Sequence, residues 1–462
     1  MTSRSSELGT RPAVAAGSPS PRPATTARSA RRLWFSAYVS LVCLPLVVAA
    51  LSDPLAAPRP ILADIGVAFG LLGLALLLVQ FALVSRLRPV SRPFGSDALM
   101  QWHRGMGIAA LVFVIVHPLL APEVTWRAWN PFGGPAGPQA GAIAFWATAA
   151  IVVSSMWRRR LRLGYEVWRA AHLLLALLVA AAAFWHALAM GPYSSAPAVR
   201  WTLAGYAGLF AALLVRYRVV RPALLLRRPW EVVANEDIGG STRLLRVRPS
   251  GHGGLRFEPG QFAWILTGAS PVVADEHPLS IASSAEPNPE GGVEFAIKAL
   301  GDWSGRTVPS LAPGRRVWVD GPFGGFTPSA SDRGLVLVAG GIGIAPMRSI
   351  LLTLRDRGDR RGVWLFYAAS DWSRVVFRDE IERLERELDL SVCFVFEKPD
   401  AAWNGERGFI TRDILARHLP GDLVELEYFV CGPVPMMDAI EPTLASLGVP
   451  SARVHTERFQ VV

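Results

Sequence analysis

Six long apolar stretches in the first half of the chain place the strongest limit on its fold. The stretches lie at about residues 33–52, 62–86, 103–122, 140–157, 166–190 and 199–219 of 462. Each is long enough to cross the roughly 30 Å hydrocarbon core of a bilayer as a helix. A spanning segment must satisfy its own backbone hydrogen bonds. The sequence therefore predicts a lipid-embedded bundle of six transmembrane helices.

The charge of the chain indicates topology more than binding. Charged residues make up only 18% of the sequence, and the net charge of +10 is carried almost wholly by arginine, since lysine occurs only at Lys298 and Lys398. The arginines cluster at the ends of alternate apolar stretches, as the positive-inside rule describes. We therefore expect an integral inner (plasma) membrane protein with both termini in the cytoplasm, and no nucleic-acid partner.

The N-terminal segment has a different composition. Residues 1–30 are rich in Ser, Pro, Ala, Thr and Arg without apolar periodicity, which predicts a disordered cytoplasmic tail. The pair Arg31-Arg32 before an apolar run is similar to a twin-arginine export signal. A retained first span is preferred, because the next part of the chain is a membrane domain and not an exported soluble one.

Four histidines in the apolar half form two pairs with the same spacing. His103 and His117 are 14 residues apart, and so are His172 and His186. On a helix, 14 residues end about 40° short of whole turns and rise roughly 21 Å. Each pair therefore shares one helix face, with one histidine towards each side of the membrane.

Topology predicts which histidines meet. His103 should face His172 in the inner leaflet, and His117 should face His186 in the outer leaflet. A single histidine in an apolar helix is more often a packing residue, but intramembrane ionisable residues are usually functional. The repeated spacing favours axial ligation of two haems, one above the other.

The positions of the cysteines exclude an iron–sulfur cluster. Cys43, Cys393 and Cys431 are far apart in sequence, so they cannot supply the four thiolates of an iron–sulfur cluster. They also imply no disulfide framework.

The second half of the chain changes to strand patterns. Short runs such as "WEVVANE", "TRLLRVRP" and "QFAWILT" predict a small antiparallel β-barrel. From about residue 333, strand–turn–helix alternation predicts a parallel α/β sheet. We expect a tail over 1–30, a six-span domain over 31–225, a barrel over 228–328 and an α/β domain over 333–462.

Several short motifs in this half suit ligand binding. In "LVLVAGGIGIAPM" a hydrophobic strand runs into glycines and then a helix, whose first N–H groups could hold a pyrophosphate. "EHPLSIASS" offers a rigid corner and hydroxyls, "AIKALGDWSGRTV" a lysine and a glycine turn, and "FVCGPVPMM" the end of a late strand. Each motif alone is weak evidence for ligand binding, because an ordinary turn would also explain it.

Together the motifs carry a resemblance. The ordered set HPLS, K-x-x-GDWS, GPFG, GGIGIAP, CGP and Glu-Arg-Phe resembles the ferredoxin–NADP reductase superfamily, a FAD barrel followed by a nicotinamide-nucleotide domain. The membrane half resembles the ferric reductase and NADPH oxidase family, whose six-span domain binds two b-type haems through paired histidines. The resemblance implies a multi-domain membrane protein: helical bundle, FAD barrel, then α/β nucleotide-binding domain.

The resemblance also implies site residues. Those expected to bind FAD are His277, Pro278, Leu279, Ser280, Lys298, Gly301, Asp302, Trp303, Ser304 and Phe459. Those expected to bind NAD(P) are Gly340, Gly341, Gly343, Ile344, Ala345, Pro346, Ser370, Arg374, Cys431, Gly432 and Pro433. Ser280 near the reacting flavin nitrogen, Cys431 near the nicotinamide and Phe459 over the flavin would take part in hydride transfer.

Two departures from the family pattern affect these expectations. Residues 460–462 follow Phe459, whereas the aromatic residue usually ends the chain, and Ser280 replaces a common threonine but keeps the hydroxyl. Ser370 and Arg374 could bind a 2′-phosphate, which favours NADPH over NADH.

The expected activity is transmembrane electron transfer. Electrons would pass from cytoplasmic NAD(P)H through FAD to the inner haem, the outer haem and an acceptor outside, either ferric iron or dioxygen. Two alternatives stay open. One is a membrane-anchored flavin reductase serving a cytosolic acceptor. The other is a histidine-lined metal or proton transporter with a regulatory nucleotide domain.

Overall fold

The computed structural model describes residues 24–52, 60–87, 96–120, 129–191, 193–330 and 332–458. In chain order they form a helical bundle, an antiparallel sheet domain and a parallel α/β domain, which confirms the predicted fold class. The first helix begins at Ala24, inside the segment expected to be a disordered tail, and the rest of that segment lies outside the described residues.

The bundle consists of long apolar helices. They are α1 (Ala24–Ser52), α2 (Ile61–Val84), α3 (Ser96–Leu119), α4 (Ala136–Met156), α5 (Tyr165–Ala189) and α6 (Pro197–Val215). Within the described ranges, six helices are long and apolar enough to cross a membrane. This confirms an integral membrane protein.

The sixth span is longer than predicted. After α6, the helix continues through a π-helical turn at Arg216–Val220 into the short α7 (Arg221–Leu226). The apolar pattern of the sequence placed the end of this span at about residue 219. The extension carries Arg221 out of the bundle and onto the barrel.

Small residues allow the helices to pack in antiparallel pairs. Gly66, Gly70 and Gly73 of α2 lie against α3, and Gly137 and Gly141 of α4 lie against α5. Between membrane helices, glycines allow close backbone approach and so maximise van der Waals contact. The bundle therefore contains two similar hairpins, α2–α3 and α4–α5.

The second domain is an antiparallel barrel. Its strands are β1 (Pro229–Asp237), β2 (Thr242–Pro249), β3 (Phe262–Thr267), β4 (Asp275–Ser280), β5 (Val293–Lys298) and β6 (Arg316–Phe323). They pair in the order β4-β3-β6-β1-β2-β5, and a bridge between Ile281 and Phe295 joins the two end strands. Inward side chains such as Leu245, Val247 and Ile265 are fully buried.

The third domain is a parallel sheet with helices. Its elements are β7 (Gly334–Gly340), α8 (Ile344–Asp356), β8 (Gly362–Ala369), α9 (Arg378–Glu387), β9 (Leu390–Phe396), β10 (Glu406–Arg407), α10 (Arg412–His418), β11 (Glu427–Cys431), α11 (Val434–Ser446) and β12 (Val454–Thr456). The strand order is β10-β9-β8-β7-β11-β12. The order reverses between β7 and β11, and ligands of such sheets bind at this point, beyond the carboxyl ends of the strands.

Candidate functional site

The glycine turn and the Cys431 motif meet at the reversal point. Ala339 on β7 pairs with Cys431 at the end of β11. A Cβ at Gly343 would overlap the carbonyl oxygen of Cys431, and a Cβ at Gly340 would lie 2.7 Å from Pro433. Only glycine permits this approach, so these predicted nucleotide-binding residues form one crevice. The N-terminus of α8 follows directly and begins at Ile344, a favourable place for a pyrophosphate.

The residues predicted for the flavin come together on the barrel. His277 of β4 stacks on Trp303, with 3.8 Å between ring centres and 19° between planes. Trp303 donates a 2.9 Å hydrogen bond from Nε1 to Thr267 Oγ1. The Ser304 hydroxyl accepts the backbone N–H of Gly301 at 3.0 Å, which closes the glycine turn. Burial lowers the pKa of His277, which favours the neutral form of this ring.

The residues predicted to bind flavin face those predicted to bind the nucleotide. A Cβ at Gly341, whose φ is +53°, would lie 3.6 Å from Lys298 Nζ. A barrel cation therefore adjoins the glycine turn of the α/β domain, where a pyrophosphate would place its charge. Ser280 is 8% exposed and ends β4 opposite Phe262.

The region after β8 contains a carboxylate that the sequence patterns did not single out. Ser370 Oγ donates to Asp371 Oδ2 at 2.9 Å, and Arg374 Nη1 donates to Ser241 Oγ of the barrel at 3.1 Å. Hydrogen bonds from Ser373 and Ser370 lower the pKa of Asp371. The available signal was its place just after a parallel strand, where an acidic residue binds a ribose 2′-hydroxyl.

Phe459 lies outside the described residues, so its stacking role stays a prediction. The chain just before it reaches the barrel, because a Cβ at Gly324 would lie 2.9 Å from Glu457 Oε1. Arg458 binds Asp438 and Glu441 of α11.

The four bundle histidines lie in two facing pairs. The ring centres of His103 and His172 are 6.2 Å apart, and those of His117 and His186 are 5.9 Å apart. A ligating imidazole nitrogen lies about 2.0–2.1 Å from a metal, and the ring centre roughly 1 Å further, so rings flanking one metal have centres about 6 Å apart. Both pairs fit a metal between two imidazoles, as in a haem with two axial histidines.

Backbone carbonyls orient the outer pair. His117 Nδ1 lies 2.8 Å from Gly66 O, and His186 Nδ1 lies 2.9 Å from Gly137 O. A carbonyl only accepts, so each Nδ1 carries the proton and each Nε2 keeps the lone pair that binds a metal. This is the donor set that a haem iron requires.

Glycines also limit where the outer rings can lie. A Cβ at Gly70 would be 2.8 Å from His117 Nδ1, and one at Gly141 would be 2.7 Å from His186 Nδ1. Each helix thus uses a glycine carbonyl and, four residues later, a second glycine without a side chain. The G-x-x-x-G spacing was visible in the sequence, but not which ring it would meet.

The inner pair has weaker supports. His172 Nδ1 lies 3.4 Å from Ser155 Oγ, which donates to Ile151 O at 2.7 Å. His103 Nδ1 is buried and makes no well-formed hydrogen bond among the residues that the structure describes, although the backbone of Gln80 on α2 lies close to this ring. The ring of Trp168 lies 5.3 Å from that of His172.

Comparison with known families matches two parts of the chain. Residues 69–183 match the model "Ferric reductase like transmembrane component", and residues 337–441 match "Oxidoreductase NAD-binding domain". The first match includes His103, His117 and His172, and it ends three residues before His186.

Curated relatives match the reductase half. The chain is 31% identical over 211 residues to the xylene/toluene monooxygenase electron transfer component XylA of Pseudomonas putida, covering 44% of this chain and 58% of the relative. It is 31% identical over 176 residues to NADH-cytochrome b5 reductase 1 of Aspergillus terreus, covering 36% and 59%. The chain thus spans less than two thirds of the length of these relatives.

Solved structures include similar chains. A ferredoxin reductase of carbazole 1,9a-dioxygenase aligns with TM-score 0.45 and 28% identity, covering 50% of this chain and 69% of that one. The flavohemoglobin of Malassezia yamatoensis aligns with TM-score 0.49 and 15% identity, covering 86% and 96%.

The fold is a membrane-embedded helical bundle followed by a barrel and an α/β domain. More particularly, the bundle is similar to a ferric reductase-like transmembrane component, and the α/β domain is similar to an oxidoreductase NAD-binding domain. These two similarities are the basis for proposing electron transfer across a membrane with bound FAD and NAD(P)H.

Proposed function

We propose that this protein is an NAD(P)H-dependent flavohaem oxidoreductase that carries electrons from the cytoplasm, through FAD and two b-type haems, to an extracytoplasmic acceptor. The observation that carries the proposal is the pair of facing histidine sites, one above the other in one bundle, in the same chain as a reductase module. The proposed orientation has both termini in the cytoplasm, since the basic loops lie on that side.

The bound groups supply the redox chemistry: FAD accepts two electrons as hydride and releases them singly, and haem iron relays single electrons. The chain binds and orients these groups. His103 and His172 would hold the inner iron, and His117 and His186 would hold the outer one. An iron held by two histidines would be suited to relaying electrons and not to binding oxygen.

The reductase residues position nucleotide and flavin against each other. We propose that Gly340 to Pro346 hold the dinucleotide, with Cys431, Gly432 and Pro433 beside the nicotinamide. His277 to Ser280, Lys298 and the Gly301–Ser304 turn hold FAD, and Ser280 offers its hydroxyl to the flavin. The stacked His277 and Trp303 rings exclude water from one wall of that site.

The choice of nucleotide depends on groups after β8. The NADPH expectation relied on Ser370 and Arg374, and both already bond to protein groups. Asp371 adds a carboxylate that accepts a ribose 2′-hydroxyl and repels a 2′-phosphate. We therefore propose NADH as the preferred donor. One relative of the reductase half bears NADH in its name.

Asp371→Ser tests this preference. Removing the like charge should raise the ratio of kcat/KM for NADPH to that for NADH by about tenfold. Asp379→Asn, which changes another exposed carboxylate of the same domain, is the matched control. An unchanged ratio in Asp371→Ser would remove this residue from nucleotide selection.

A reduced-minus-oxidised spectrum of the purified full chain tests the main proposal. Adding NADH or NADPH should bleach FAD and then develop b-type haem bands, with two haems per chain. Flavin bleaching without any haem band would instead support an anchored flavin reductase. No flavin reduction by either nucleotide would support the transporter alternative.

The acceptor needs its own experiment. Ferric iron and dioxygen are both proposed, because bis-histidine haems deliver single electrons to either. Reduction of chelated ferric iron and production of superoxide should be measured side by side in vesicles with the proposed outer face exposed to the assay. The faster reaction identifies the acceptor class.

A further inference from the structure

Four charged side chains form one cluster where the bundle meets the barrel. Arg86 follows α2 and Arg221 begins α7, while Glu276 lies on β4 and Asp320 on β6. Arg86 Nη1 is 2.7 Å from Glu276 Oε2, Arg221 Nη1 is 3.0 Å from Glu276 Oε1, and Arg221 Nε is 2.7 Å from Asp320 Oδ2. These side chains are only 12–18% exposed. Two positive and two negative charges make the cluster neutral.

The backbone and an aromatic ring also hold Arg86 in place. Its φ is +52°, in the left-handed region that non-glycine residues rarely adopt. Such a conformation persists only where surrounding contacts enforce it. The guanidinium lies over Trp264 of β3, 3.5 Å from the ring centre. Three strands of the barrel thus contact the two arginines.

One of the two carboxylates adjoins a motif assigned to the flavin. Glu276 directly precedes His277, while Asp320 lies on β6, the strand that pairs with β3 beside β4. The charges of Glu166 and Arg169, in the first turns of α5, act on His277. Three residues after Arg169, the same helix carries His172. Glu276, which both arginines contact, is therefore next to the residue of the flavin strand that comes near α5, the helix that carries His172.

We propose that Arg86 and Arg221 are positioning residues that clamp β4 and β6 onto the bundle and fix the gap between the flavin site and the inner histidine pair. This inference rests on the proposed function. A neutral, buried cluster tolerates the loss of one member poorly, because the partner charge is left without compensation. Losing one arginine therefore shifts the barrel relative to the bundle.

The test uses the full chain in lipid nanodiscs, mixed rapidly with NADH. Flavin bleaching reports hydride transfer, and the later haem absorbance reports transfer across the junction. Arg86→Gln and Arg221→Gln should leave flavin bleaching within about twofold of wild type and slow haem reduction about 10- to 100-fold, because small misplacements cost that much. Asp359→Asn is the matched control: it breaks the similarly buried Asp359–Arg361 pair away from the junction.

A double variant separates charge balance from simple loss of a side chain. Arg86→Gln/Glu276→Gln makes the cluster neutral again, so haem reduction should recover much of the rate lost in Arg86→Gln. Hydrogen exchange at the β4 and β6 amides gives a second readout that needs no electron transfer. It should rise in the single variants and fall back in the double variant.

The outcomes are distinguishable. Wild type that bleaches flavin but never shows a haem signal would overturn the proposed function. If both arginine variants reduce haem as fast as wild type does, the proposed clamp is wrong and the proposed function is unaffected. A loss of flavin content or an equal slowing of flavin bleaching would also overturn the clamp, since the cluster would then stabilise the barrel itself.

Discussion

The outer and inner histidine pairs have nearly equal ring separations but differ in what holds the rings. Backbone carbonyls of Gly66 and Gly137 orient both outer rings. On the inner side, His172 has only a long contact to a serine hydroxyl, and His103 has the backbone of Gln80 nearby while its Nδ1 lacks a well-formed hydrogen bond in the described part of the chain. The outer rings are therefore fixed by short bonds to the helix backbones, whereas the inner rings are held by weaker contacts and by what binds between them.

Removing an outer histidine should have the largest effect. His117→Ala deletes an axial ligand, so the haem content should fall from two to one per chain, with the inner haem still reduced by the flavin. Haem quantification and the difference spectrum measure this. The equivalent inner variant His103→Ala should block electron delivery to both sites. Two haems retained in His117→Ala would refute the outer pairing.

The glycine positions test whether the outer site is fixed by backbone. Gly70→Ala places a methyl group 2.8 Å from His117 Nδ1, so the ring must move and lose its bond to Gly66. Second-sphere changes of this kind typically weaken metal binding about 10- to 100-fold. Outer haem loss during gel filtration measures the change. Gly107→Ala is the matched control, since its nearest contact is 3.8 Å away.

The corresponding inner change should be milder. Ser155→Ala removes the hydroxyl beside His172, but that contact is 3.4 Å long and loses little. We expect at most about tenfold weaker retention of the inner haem, the lower end for second-sphere changes. If Ser155→Ala loses as much inner haem as Gly70→Ala loses outer haem, the inner ring is also firmly held. The contrast between the outer and inner pairs would then be wrong.

Acid should produce the smallest effect over the usual pH range, and only on the inner side. Burial alone raises the pKa of Glu276, but the charges of Arg86 and Arg221 outweigh it and hold that pKa below its ordinary value. The cluster therefore stabilises the junction above the unfolded pKa of about 4.3 and loses this as pH falls through the lower folded value.

Electron transfer from flavin to haem should then be constant between roughly pH 7 and pH 5 and fall only below about 4. Rapid-mixing rates at each pH measure it, with outer haem content as the internal control. A decline already at about pH 6 would implicate a group other than Glu276.

Local patterns in the sequence predicted the fold and part of the site. Apolar length predicted the six helices, and the 14-residue spacing together with the topology from the basic loops predicted which histidines would meet. The glycine runs predicted the nucleotide crevice, where backbone approach requires glycine at Gly340 and Gly343.

Contacts between distant segments could not be predicted in the same way. Gly66 and His117 are 51 residues apart, and Arg221 and Asp320 are 99 residues apart. Their pairing depends on how helices and barrel pack. The sixth span ended later than expected, because Arg221 pairs with barrel carboxylates and so suits a helix that leaves the membrane.

The two hairpins of the bundle orient their outer histidines, His117 and His186, in the same way. In each, the first helix supplies a glycine carbonyl and a bare glycine, and the second supplies a ring. Each proposed iron would take one histidine from each hairpin. Neither hairpin forms a complete site alone, so anything that moves the halves apart disturbs both sites together.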